Sequence, residues 1–150
     1  MIEIRFSKNI PFSLLKLLQD DTEFNDAMLH AAWNVLGVPD PLAKPAVYSL
    51  NFVETAPNGK GTRGIEATLR GVNDDDKRPY GASRKAMLAV LRDIIKKHGP
   101  NHPDGPRLLL NINATVYSTT RAYEGPDEWA DGTGTPVTAD GTALSPTLSK

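Results

Sequence analysis

Residues 59 to 64 read Gly-Lys-Gly-Thr-Arg-Gly, a G-x-G-x-x-G pattern. Such a pattern cradles a phosphate when it follows a strand and opens a helix, because the helix N-terminus supplies free N–H groups. Here the residues that follow, Ile65-Glu66-Ala67-Thr68-Leu69-Arg70, alternate apolar and polar like a strand. Pro57-Asn58-Gly59 is a turn signal. The stretch is therefore expected at a hairpin tip, where Lys60 and Arg63 can meet an anionic ligand or a partner.

The remaining residues that do chemistry elsewhere have little support from spacing. His98 and His102 stand four apart, but Gly99-Pro100 ends the helix between them, so His98, His102 and Asp104 are not expected to hold a metal. His30 falls beside the apolar stripe of a helix and reads as a partly buried structural residue. Asp74-Asp75-Asp76 lacks the alternation and closing Glu of a calcium loop and reads as a solvated turn. The chain has no cysteine, which excludes disulfides, thiol catalysis and thiolate metal sites. No serine sits in a nucleophile elbow, so a hydrolase triad has no local support. From the residues alone the expected catalytic set is none, with no metal and no cofactor.

The elements that would position these residues follow from periodicity. Ile2, Ile4 and Phe6 alternate with Glu3 and Arg5 as in a half-buried strand. From Ser13 to Val35 apolar residues recur at three and four positions, predicting an amphipathic helix interrupted near Asp20-Asp21 and ended by Gly37. Val47–Glu54 and the segment beginning at Ile65 predict a second and a third strand. Ser83 is the expected N-cap of a second helix with the stripe Met87, Val90, Leu91, Ile94 and Ile95, leaving Arg84, Lys85 and Arg92 toward water. Leu108 to Val116 predict a fourth strand, covered on both faces at Leu109. The order is β-α-β-β-α-β, an α+β class. It is expected as the split βαβ, ferredoxin-like arrangement, with two helices on one face of a mainly antiparallel four-stranded sheet.

Composition narrows the function. A net charge of −1 gives no global field toward nucleic acid or an acidic membrane. No apolar run reaches the roughly 18 residues of a membrane span, and MIEIRFSKN does not read as a signal peptide, so cytoplasmic synthesis is expected. The strand Arg63-Gly64-Ile65-Glu66-Ala67-Thr68-Leu69 has no aromatic on which a base could stack, which argues against nucleic-acid base recognition. Residues 1–120 form one expected domain, and residues 121–150, rich in Gly, Thr, Pro and Asp, form a polar C-terminal arm. Such an arm cannot offset its ordering entropy alone, so its own domain or a neighbouring subunit must hold it.

Taken together, VETAPNGKGTRGIEATLRG, ASRKAMLAVLRDIIKKHG and RLLLNINATV resemble the hairpin, second helix and last long strand of the tautomerase superfamily. The likeness is to its 5-carboxymethyl-2-hydroxymuconate isomerase branch and covers about residues 1–120. That resemblance implies two βαβ halves, a trimer, and a proline directly after the initiator methionine acting as general base. Here the second residue is Ile2, which disfavours removal of Met1, and Pro11 follows the first strand without a free amine. The resemblance makes Arg5 and Arg70, on polar strand faces, candidates for anion-binding positions, although surface charge is the plainer role.

With the family's base missing, the sequence favours a noncatalytic, self-assembling structural subunit, such as a component of a phage head, neck or tail. Edge strands and the arm would make the contacts, with Trp129 as an aromatic anchor and copies of itself or neighbouring assembly proteins as partners. The alternative is a diverged tautomerase-like isomerase or small-ligand-binding protein.

Overall fold

The structure, a computed structural model, describes residues 1–55, 63–72, 79–103, 109–118, 122–123 and 137–138. Along them run β1 (Ile2–Ser7), α1 (Phe12–Asp20), α2 (Thr22–Trp33), a 3-10 turn (Pro41–Ala43), β2 (Leu50–Thr55), β3 (Arg63–Val72), α3 (Tyr80–His98) and β4 (Leu109–Ser118). Two short strands follow, β5 (Ala122–Tyr123) and β6 (Val137–Thr138). The α+β class and the β-α-β-β-α-β order match the sequence-based expectation, with the first helix broken into α1 and α2.

The strand directions differ from that expectation. β1 runs parallel to β2 and antiparallel to β3, and β3 runs parallel to β4. The sheet order is β2-β1-β3-β4-β5, with β6 also on β4. The chain is thus two consecutive βαβ units joined back to back, and the sheet is mixed. The expected hairpin is corrected as well, because β1 lies between β2 and β3 and these two do not pair. The reason is local: each crossover helix returns its second strand parallel to the first, and β1 then has one side left, which β3 fills. Residues 56–62, Gly59 to Thr62 of the G-x-G-x-x-G stretch among them, lie outside the described residues, whereas Arg63 and Gly64 belong to β3.

Alternation along the strands sorts the sheet into two faces. Ile2, Ile4 and Phe6 of β1, Ile65, Ala67 and Leu69 of β3 and the even positions of β4 from Leu110 to Val116 are buried. They share one core with Leu14 and Leu18 of α1, Met28 of α2, and Met87, Leu91 and Ile95 of α3, so the helices cover this face. Each such aliphatic side chain contributes about 1.5–3 kcal/mol when taken fully from water. The opposite face is polar and carries the candidate site.

The helix boundaries have identifiable causes. Asp21, with φ −80° and ψ 99°, ends α1 and begins α2, and its Oδ1 accepts the Phe24 N–H at 2.9 Å. Past α2, Val38 N donates to Trp33 O at 3.0 Å and Gly37 N to Asn34 O at 3.1 Å. That pair of bonds is a Schellman closure, and it requires the left-handed φ of +93° that Gly37 adopts. Ser83 is not the N-cap of α3, which starts at Tyr80 after Pro79. It is fully buried, and its Oγ donates to Ala32 O at 2.8 Å, clasping α3 to α2. Arg84, expected toward water, is only 9% exposed.

The Asp21 carboxylate ties the first half to the second. Its Oδ2 accepts from Lys97 Nζ and lies against His98 Nε2, each at 2.8 Å, at the C-terminus of α3. The Lys97 hydrogen bond, then the Phe24 N–H and His98, hold its carboxyl well below the usual aspartate range against the cost of burial. Lys97 is correspondingly raised, chiefly by its bond to Asp21. Asp21→Ala is expected to lower stability by about 2 kcal/mol, combining a lost helix cap with a lost charged hydrogen bond. Because the folded carboxyl sits below its unfolded value, this contribution is complete above about pH 4 and lost as the pH falls further. Urea unfolding of the native protein and Asp21→Ala should therefore converge in acid, and parallel curves from pH 7 to pH 3 would refute it. Ser83→Ala should cost about 1–3 kcal/mol by orphaning the Ala32 carbonyl, read in the same melts.

Candidate functional site

The positions that alternate away from the core build a polar surface on the sheet. Register aligns Val53, Arg5, Glu66 and Asn113 in one row across β2, β1, β3 and β4. The next row aligns Asn51, Glu3, Thr68 and Thr115. Strands put such neighbours within side-chain reach of one another.

Part of this surface is enclosed. Thr68 is 0% and Thr115 4% exposed. Thr115 Oγ1 lies 3.0 Å from Glu66 Oε1, to which it donates, and 3.2 Å from Thr68 Oγ1. Arg70 Nε donates to Glu3 Oε2 at 3.1 Å, so this arginine is already paired. Arg5 differs. Its Nε is buried with no hydrogen-bond partner, and so is the Asn113 Oδ1 in the same row. Directly opposed in register, Arg5 and Glu66 are joined by no ion pair among the described residues. A buried guanidinium N–H without an acceptor is costly, and so is a buried amide oxygen without a donor. A small ligand presenting an anionic oxygen and a hydroxyl satisfies both.

At the rim, the Met1 amine donates to Arg70 O at 3.2 Å. Burial lowers its pKa from the ordinary value, against an opposing pull from the Glu3 carboxylate.

The residues singled out by sequence are dispersed. Arg63 opens β3, and its Nε donates to Asn9 O at 2.8 Å, so it braces the turn after β1. Gly64 N donates to Ser7 Oγ at 3.0 Å as part of a strand, with no helix behind it. Lys60 and Trp129, like Asp74, Asp75, Asp76 and Asp104, lie outside the described residues. His98 is held by Asp21, whereas His102 meets Ser13, so the two imidazoles serve different contacts. No group of metal-ligating side chains gathers among the described residues. His30 is half-buried, with Nδ1 3.4 Å from Asn34. No helix among the described residues is long and apolar enough to cross a membrane.

A separate cavity of about 170 Å³ opens between α2 and α3 over Phe24, Ala27, Val90 and Ile94. Its rim holds the Asp21–Lys97 pair, whose charges already answer each other. It lies on the helical side, away from Arg5.

Sequence periodicity placed Arg5 and Glu66 on a polar face. It carried no signal for Asn113, Thr115 or the shared row, because register between strands depends on contacts distant in sequence. The pairing of Ser13 with His102 was missed for the same reason.

No protein-family model matches the chain, and no curated protein sequence matches it significantly. Among solved structures it is similar to Pt0534 inactivated by 2-oxo-3-pentynoate, at 10% identity and TM-score 0.45 over 87% of this chain and 96% of that one. It is also similar to the Q0 fused 4-OT symmetric trimer, at 13% identity and TM-score 0.42 over 89% and 98%. A third is malonate semialdehyde decarboxylase, at 12% identity and TM-score 0.36 over 83% and 90%.

Proposed function

We propose that the protein binds small organic acids on the polar face of its sheet and moves a proton within them, as an isomerase of tautomerase type. The observation that carries this reading is the enclosed Arg5 Nε without an acceptor, in one row with Glu66 and the unpaired Asn113 oxygen. In it, Arg5 takes the substrate carboxylate by a charge-assisted hydrogen bond, and Asn113 Oδ1 accepts from an enol hydroxyl. Thr115 holds Glu66 through Oε1, which leaves Oε2 without a described donor and open to a proton. The enol hydroxyl then turns from Asn113 to Glu66 Oε2, which takes its proton; the O–H electron pair forms the carbonyl, and the C=C pair takes a proton at the substrate carbon from Glu66. This places the ligand-binding alternative ahead of the noncatalytic structural subunit.

The test is ketonisation of an enol acid followed in D₂O, with binding of the same acid by calorimetry. Arg5→Gln should weaken binding about 10- to 100-fold, the loss of one charged hydrogen bond. Glu66→Gln should leave binding nearly intact and slow deuterium incorporation about 100-fold. An enol acid that neither binds nor ketonises faster than in buffer sinks the proposal.

Self-association is a second reading, favoured by one observation: β2 is the outer strand of the sheet, with no neighbour beyond it among the described residues. An unpaired edge is a template for another chain. Light scattering at about 50 µM, above the weakest micromolar affinities of interfaces of ordinary size, should give a native mass above one chain. A monomer at that concentration refutes it.

A further inference from the structure

We propose that Ser13 and His102 form a nucleophile–base pair that accepts acyl groups from small uncharged esters. The pair belongs to the helical layer and is independent of the polar sheet face.

Ser13 Oγ lies 2.7 Å from His102 Nε2, although 89 positions separate the two residues. His102 follows the C-terminus of α3, where His102 N donates to Gly99 O at 3.1 Å, and Ser13 is the second residue of α1. The imidazole is 4% exposed, while the serine is open to solvent. A hydroxyl is a weak nucleophile until a neighbouring base takes its proton, and here the base is shielded while the hydroxyl remains accessible.

Two further features suit acyl transfer. The N–H groups of Phe12 and Ser13 have no acceptor among the described residues, whereas Leu14 N and Leu15 N both turn back to Pro11 O at 3.1 Å. Free N–H groups beside a nucleophile stabilise the oxyanion of a tetrahedral intermediate. Phe12 is 75% and Leu17 42% exposed, and Leu17 stands four residues from Ser13 on the same helix face. Phe12 and Leu17 thus flank Ser13 along the helix as exposed apolar side chains, which suits a short acyl or aryl group.

In the reaction, Ser13 Oγ attacks the ester carbonyl while its proton passes to His102 Nε2. The new Oγ–C bond forms, the C–O bond to the alcohol breaks, and the alcohol leaves with the proton from Nε2. Water then attacks the acyl-serine and gives its proton to Nε2. Ser13 recovers that proton as the carboxylic acid departs. Ester and water become acid and alcohol, with no other reactant.

The probe is p-nitrophenyl acetate added to the full-length chain, with nitrophenol release followed optically and the acetylated residue mapped by mass spectrometry. The expected result is a burst with the acetyl group on Ser13, at a rate that rises with pH to a plateau. Ser13→Ala, at an exposed position, should slow the burst about 100-fold, as should His102→Gln. Circular dichroism checks the fold of the second variant; if it is not native, Ser13→Ala and the mapped label decide. Acetyl groups spread over lysines with Ser13 bare overturn the proposal. So does an unchanged rate in Ser13→Ala, or a rate that climbs tenfold per pH unit without a plateau.

Discussion

The structure depends on β1 being paired along both of its edges. From Ile2 to Phe6 every residue has a partner in β2 and another in β3, so this strand carries the seam between the two βαβ halves. An interior strand has no backbone group left for water, and its side chains must suit a core on one face and whatever lies on the other. Ile2, Ile4 and Phe6 meet the first demand, and Glu3 and Arg5 define the second. The polar row that contains Arg5 exists because β1 is central: an arginine at an edge would reach solvent, whereas this one has strands on both sides.

A second tie works between the helices. Asp21 ends one helix, starts the next and receives Lys97 and His98 at the end of α3. One carboxylate thereby fixes the kink between α1 and α2 and the position of α3 relative to it. The clasp from Ser83 to Ala32 secures the other end of the same helix pair. Between these polar fasteners the contact is apolar, so the helices are aligned by a few directional bonds and stabilised by area.

Local chemistry was legible in the sequence where it depends on neighbours along the chain. The strand at Ile2–Phe6, the break at Asp21, the stop at Gly37 and the stripe of α3 all follow from spacing. What depends on distant residues was not. Nothing in Pro57-Asn58-Gly59 says whether the strands it joins are adjacent, and β2 and β3, expected as a hairpin, do not pair. Ser83 has the chemistry of a cap, but Pro79 starts the helix a turn earlier and the hydroxyl finds a buried carbonyl instead. Of the candidate site, Arg5 and Glu66 were assignable to a polar face, while Asn113, Thr115 and the pairing of Ser13 with His102 required the fold.

The two short strands from the C-terminal segment give the sheet a polarity of exposure. β5 pairs with Val116 and Tyr117, and β6 with Leu109 and Leu110, so both ends of the outer side of β4 are taken by the chain itself. Among the described residues β2 has no such cover. A sheet that offers one edge can be lengthened only once: two copies meeting β2 to β2 exhaust the available backbone and close as a two-fold pair. Head-to-tail growth needs a donor edge and an acceptor edge on every copy, and at the β4 edge it would meet β5 and β6.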